Sequence, residues 1–160
     1  MRMTRFILAF LAFAVVPSFT RADDATNVTR MPPEHRKVLV DASHFREVHA
    51  TTNLPPAIVA ICADGHGRLA EPGQKWEATD VIIDDSLPRC RLIWAAINGD
   101  YYVVHFERGG IGHEFVILIA TMKSDTTKPT IIWQGDAVYL LKDYRAFVRE
   151  MQANRLIESH

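Results

Sequence analysis

Asn98-Gly99 stands between two apolar runs, Arg91–Ile97 (RLIWAAI) and Asp100–Phe106 (DYYVVHF). Asn-Gly is the preferred pair for a two-residue type I′ hairpin, because both central residues need positive φ. The pair therefore predicts two adjacent antiparallel strands. Counting out from the turn sets Ala96 opposite Tyr101, Trp94 opposite Val103 and Leu92 opposite His105. A second hairpin, with Gly109-Gly110 at its tip, joins this strand to Gly112–Met122 (GHEFVILIATM). A turn centred there sets His105 opposite Glu114 and Phe106 opposite His113. A slip of one residue would exchange the faces.

Both strands are apolar on both sides, with Tyr102, Val104 and Phe106 on one and Tyr101 and Val103 on the other. A sheet wet on one side would alternate more cleanly. Further strands are expected at Ala57–Ala63 (AIVAICA), Trp76–Ile83 (WEATDVII) and from Thr130 (TIIW). Val38–Val40 suggests another short strand, and Asp41 or Ser43 could cap a helical turn through His44–Val48. Asn53–Pro56 reads as a break. Tyr144, Phe147, Val148 and Met151 recur at the spacing of one helix face, with Asp143 placed to cap it. The expected class is α+β: a curved antiparallel β-meander of about five to seven strands with a C-terminal α-helix packed on one face. Sheet curvature, the N-terminal segment or a partner protein must cover the other.

The start of the chain bears on compartment. Arg2 and Arg5 precede eleven unbroken apolar residues, Phe6–Val16, and Pro17–Ala22 (PSFTRA) leads into Asp23-Asp24. A charged start, a short apolar core and a small residue at the cut form a secretory signal, here 1–22. The core falls short of the about 20 residues that span a bilayer. The expected product is periplasmic or secreted, with no membrane association after cleavage. A mobile N-terminal arm, 23–33, should precede a single globular domain, 34–160.

Three of the 18 basic residues leave with the leader and none of the 19 acidic ones, so the product carries a net charge of −4. That balance argues against nucleic acid as a partner. In an oxidising compartment Cys62 and Cys90 are a candidate disulfide; the alternative is two separate buried thiols.

Three places could carry chemistry. The loop Arg108-Gly109-Gly110-Ile111-Gly112-His113 combines a backbone able to approach a ligand with a forked donor and an apolar tip. Its bland alternative is a glycine-rich turn. His105 and Glu114, with Glu107 nearby, could do general acid–base work if they meet across the strands. They could equally be an ordinary cross-strand pair. Asp64-Gly65-His66-Gly67-Arg68 is a turn that could face a ligand with Cys62 close by. Trp76, Trp94 and Trp133 belong either to the core or to a ligand groove. No zinc spacing, phosphate loop or dinucleotide fingerprint occurs, so no metal and no cofactor is expected.

The leading expectation is a small exported binding protein, of inhibitor or immunity type, presenting the Gly-rich hairpin to another protein such as a cell-wall hydrolase or secreted toxin. The alternative is a small hydrolase or lyase using His105 with Glu114. A homodimer through the second apolar face is also open.

Overall fold

The computed structural model describes residues 31–79, 81 and 84–158; the expected leader and most of the arm lie outside them. Six strands form one antiparallel meander in sequence order. They are β1 (Arg46–Val48), β2 (Cys90–Asn98), β3 (Tyr101–Arg108), β4 (Glu114–Thr121), β5 (Thr130–Ala137) and β6 (Ile157–Glu158). Three helices accompany them: α1 (Pro33–Leu39), α2 (Pro56–Cys62) and α3 (Tyr144–Gln152). The fold is α+β, with the C-terminal helix on the sheet.

Each face of the sheet has its own cover. Val103, Ile117 and Ile119 pack with Leu39 of α1 and Tyr144, Phe147, Val148 and Met151 of α3. Val104, Phe106, Val116 and Leu118 pack with Ile58 and Cys62 of α2. The second apolar face, on which the homodimer expectation rested, is therefore covered by α2. Helix α3 begins as its spacing predicts, with the Asp143 carboxylate accepting the Ala146 N–H at 2.7 Å. Glu47 of β1 accepts a second first-turn donor, the Tyr144 N–H, at 2.8 Å.

Several expectations are corrected. Ala57–Ala63 is helical, not a strand. Pro56 occupies the first helical position, where a missing N–H costs nothing, and Ile58 and Cys62 then fall one turn apart on the buried side. Val38–Val40 likewise is no strand, because Pro33 opens α1 across it. The arm ends earlier than expected, since Met31 packs against the α3-side core. Asp41 does cap a 3-10 turn, at Ala42–His44, but Arg46–Val48 is β1 rather than helix. No described residue of Trp76–Ile83 lies in a strand.

The registers also differ. The first turn centres on Gly99-Asp100, with Gly99 at φ 55° and Asn98 paired to Tyr101. Positive φ at the first central residue alone is the type II′ pattern. Trp94 thus faces His105, two places from expectation and on the same side of the sheet. At Ile93 a bulge then adds one residue, so that Leu92 faces Phe106 and Arg91 faces Glu107. Below the bulge the faces of β2 are exchanged, which brings Arg91 to the α3 side and sends Cys90 and Leu92 to the α2 side. In the second hairpin Arg108 pairs with Glu114 and His105 with Ile117. The loop between the strands is five residues long, 109–113, rather than two.

Candidate functional site

The tip of the second hairpin is held from below and behind. At its stem Arg108 Nε donates to Glu114 Oε2 at 2.8 Å, an exposed pair. Behind it, the Gly109 N–H donates to the Arg89 carbonyl at 2.9 Å. Gly109 also lies so close to the next segment that a Cβ there would come within 2.3 Å of the Glu77 carbonyl oxygen and 2.8 Å of Ala78 Cα. Backbone yields far less readily than a flexible side group, so only glycine fits this seat. Gly110 and Gly112 flank Ile111 at φ 141° and 142°, a region that side chains disfavour. Ile111 itself is 102% exposed, the most exposed large apolar residue described.

Beneath the loop lies a cluster that the sequence did not single out as one. Glu107, 6% exposed, receives Arg91 Nε and Nη2 on Oε2, both at 2.6 Å. Its other oxygen, Oε1, accepts from His113 Nε2 at 3.1 Å. A carboxylate can only accept, so the proton sits on Nε2 and the lone pair of a neutral ring on Nδ1. Nδ1 has no partner among the described residues. The Arg91 guanidinium lies 5.0 Å over the Trp76 ring, and His113 sits between Trp76 (5.3 Å) and Phe115 (4.7 Å). Burying a carboxylate is costly unless it is paired and hydrogen-bonded; Arg91 and His113 meet that need. The β2 bulge is what made this cluster hard to foresee, because without it Arg91 would face the other way.

His105 and Glu114 do not meet. His105 is fully buried, and both ring nitrogens are committed to backbone. Nδ1 donates to the Val116 carbonyl at 3.0 Å, and Nε2 accepts the Leu141 N–H at 3.2 Å. Burial pushes its pKa down to about 4, so the ring is neutral at ordinary pH. The Leu141 carbonyl in turn accepts Trp94 Nε1 at 2.7 Å. His105 therefore tacks the segment before α3 onto the sheet, while Glu114 is on the surface with Arg108. His113, expected on the face away from His105, shares that face.

The other expected sites are structural. Asp64 Oδ1 accepts the N–H groups of His66 and Arg68, and Oδ2 that of Arg89, tying the turn to the start of β2. Burial would raise its pKa; those three backbone bonds overcome that and hold the carboxyl below its ordinary range. Cys62 and Cys90 are free thiols, both buried, rather than the expected disulfide. Burial pushes the Cys90 thiol up to about 11 and Cys62 higher still, which leaves no thiolate for nucleophilic chemistry. Trp94 and Trp133 are core; Trp76 alone belongs to the loop cluster. Among the described residues no three His, Cys, Asp or Glu side chains are grouped to hold a metal ion, and no helix is long and apolar enough to cross a membrane.

Comparison with protein-family models, curated proteins and solved structures found no match to this protein.

Proposed function

We propose that this protein is an exported binding module that inserts the hairpin tip Arg108–His113 into a cleft of a protein partner, with a cell-wall hydrolase or a secreted toxin as the kind of target. The observation that carries this reading is the exposure of Ile111 at the summit of a braced loop. An apolar side chain fully in water gains nothing for the fold; burying it in a partner returns roughly 2 kcal/mol. The bracing matters equally. Ordering a loose loop on binding costs free energy, and a tip fixed by Gly109 against Glu77 and by Arg108 against Glu114 has met that cost beforehand. The export signal 1–22 supports the compartment in which such targets occur.

The hydrolase or lyase alternative depended on His105 acting with Glu114, and the register separates them. The binding reading is tested by capture from a periplasmic extract with the wild-type protein and with Ile111→Asp. A partner found by mass spectrometry is then purified and its affinity measured directly for both. Loss of affinity in Ile111→Asp is the expected result. Equal affinity for both proteins rejects the tip as the binding element.

A further inference from the structure

We infer that Val138-Tyr139-Leu140, together with Ile157, is a second docking surface, and that its occupant is a protein segment whose apolar side chains are flanked by carboxylates. The surface does not involve the hairpin tip, so either can fail without the other.

Seven large apolar side chains are exposed among the described residues, and four of them are these. Three follow one another in the chain, each at least half exposed. Contiguous exposed apolar surface with a polar rim marks interaction sites, whereas apolar residues scattered singly need no explanation. The stretch is held out rather than loose. Before it, Ala137 is buried and pairs with Phe115 at the end of β5. After it, Leu141 is buried, and His105 and Trp94 hold its N–H and its carbonyl. Between these anchors Tyr139 reaches α3, with its hydroxyl within hydrogen-bond reach of Glu150. Ile157 of β6 pairs with Asp136, two residues before Val138.

The charge beside the surface selects the partner. Residues 138–156 hold four bases, Lys142, Arg145, Arg149 and Arg155, and two acids, Asp143 and Glu150. Both acids are engaged: Asp143 caps α3, and Glu150 takes two hydrogen bonds of 2.7 Å from Arg155. Lys142, Arg145 and Arg149 are exposed and form no ion pair among the described residues. Arg145 and Arg149 stand one turn apart on the outer face of α3. Arg149 adjoins Glu150 and, through it, Tyr139. Asp136 and Glu158 lie at the Ile157 end, so a partner's carboxylates belong on the α3 side. A second copy fits poorly, because a two-fold contact sets the surface against itself and brings these cations toward their own kind. A bilayer fits poorly too. It faces a whole side of a molecule whose net charge is negative, whereas a short segment meets only the charges within a Debye length, about 8 Å at physiological salt.

The test is fluorescence anisotropy with the full-length protein and short labelled peptides of leucine and glutamate. One is patterned as an amphipathic helix and one as a strand, each with a lysine-for-glutamate analogue as control. Amide NMR locates the contact. A glutamate peptide should bind saturably, shift the amides of 138–140 and 157, and be released by added salt; the lysine analogues should not bind. Val138→Ser/Leu140→Ser changes only exposed side chains, so it should keep the wild-type unfolding curve while weakening binding by about tenfold. Lys142→Glu/Arg149→Glu should weaken it several-fold, and Ile111→Asp should leave it unchanged. Failure of both glutamate peptides, equal binding of the lysine analogues, or amide shifts centred elsewhere, the tip included, would overturn the second surface as assigned. So would a concentration-dependent dimer that Val138→Ser/Leu140→Ser abolishes, which gives the surface to a second copy. Binding to phosphatidylglycerol vesicles that the same variant loses would give it to a membrane instead.

Discussion

His105 and His113 lie eight residues apart on one hairpin and face the same side of one sheet, yet the molecule uses them in opposite ways. His105 is walled in by Trp94 and Phe115, and backbone groups occupy both its nitrogens. His113 stands at the rim with one nitrogen on a buried carboxylate and the other uncommitted. The first is a pin, the second a presented group. A histidine's role is set by what its second nitrogen meets, and neither residue type nor strand position reveals that.

The largest effect expected from this contrast is on stability. His105→Ala leaves a cavity and strands the buried Leu141 N–H and Val116 carbonyl, so it should cost about 3–5 kcal/mol. His113→Ala, at the rim, should cost less than about 1 kcal/mol. Urea denaturation of both variants checks this, and similar losses would break the distinction between pin and presented group.

Acid should act through the pin as well. His105 has a folded-state pKa lowered to about 4, whereas the unfolded state titrates near the ordinary histidine value of about 6.5. Between these values the unfolded state binds the proton more readily. Stability from this group is therefore complete above about pH 6.5 and is lost as pH falls toward 4, by on the order of 3 kcal/mol. Denaturant midpoints measured across this window should fall with pH in the wild type. A His105→Leu variant should show a flatter profile, and an unchanged slope would mean that other groups dominate.

A smaller loss is expected one step toward the rim. Glu107→Gln removes the charge that Arg91 and His113 share, leaving a partly buried guanidinium without its counter-ion. Breaking a buried pair costs several kcal/mol, and Arg91 is open enough to water to reduce this to about 2 kcal/mol. The same variant should release the His113 tautomer, visible as a mixed pattern in imidazole nitrogen shifts. A single unchanged tautomer would sharpen the comparison against Glu107, by showing that the aromatic neighbours Trp76 and Phe115 alone orient the ring.

The parts legible from sequence were those decided locally. The meander followed from apolar runs separated by glycine turns, and α3 from four apolar residues on one stripe behind Asp143. What escaped was decided between distant segments. Ala57–Ala63 has too few residues for its apolar run to distinguish helix from strand, and the prolines that looked like a break open a helix. Ile93 gives no local sign of a bulge, yet that one residue brings Arg91 to Glu107. The second loop is five residues long, 109–113, and its Gly109 seats against Glu77 and Ala78, some thirty positions earlier in the sequence. The loop could be named from its glycines, whereas its foundation depended on two registers and a bulge.

The smallest expected change in stability is at Ile111, and there the contrast between fold and function is widest. The side chain is fully exposed, so Ile111→Asp removes no packing and buries no charge. Surface changes of this kind stay within about 0.5 kcal/mol. Ordinary selection for stability gives no reason to keep a large apolar residue between two glycines in water. If the tip docks, the aspartate must be desolvated in an apolar pocket, a penalty far larger than the apolar burial forgone. Unfolding curves that superimpose on wild type, together with lost affinity for the partner, would place the value of Ile111 wholly outside the fold. A clear loss of stability would instead show that Ile111 packs in the folded protein, and the loop would be a foundation like His105 rather than a presented surface like His113.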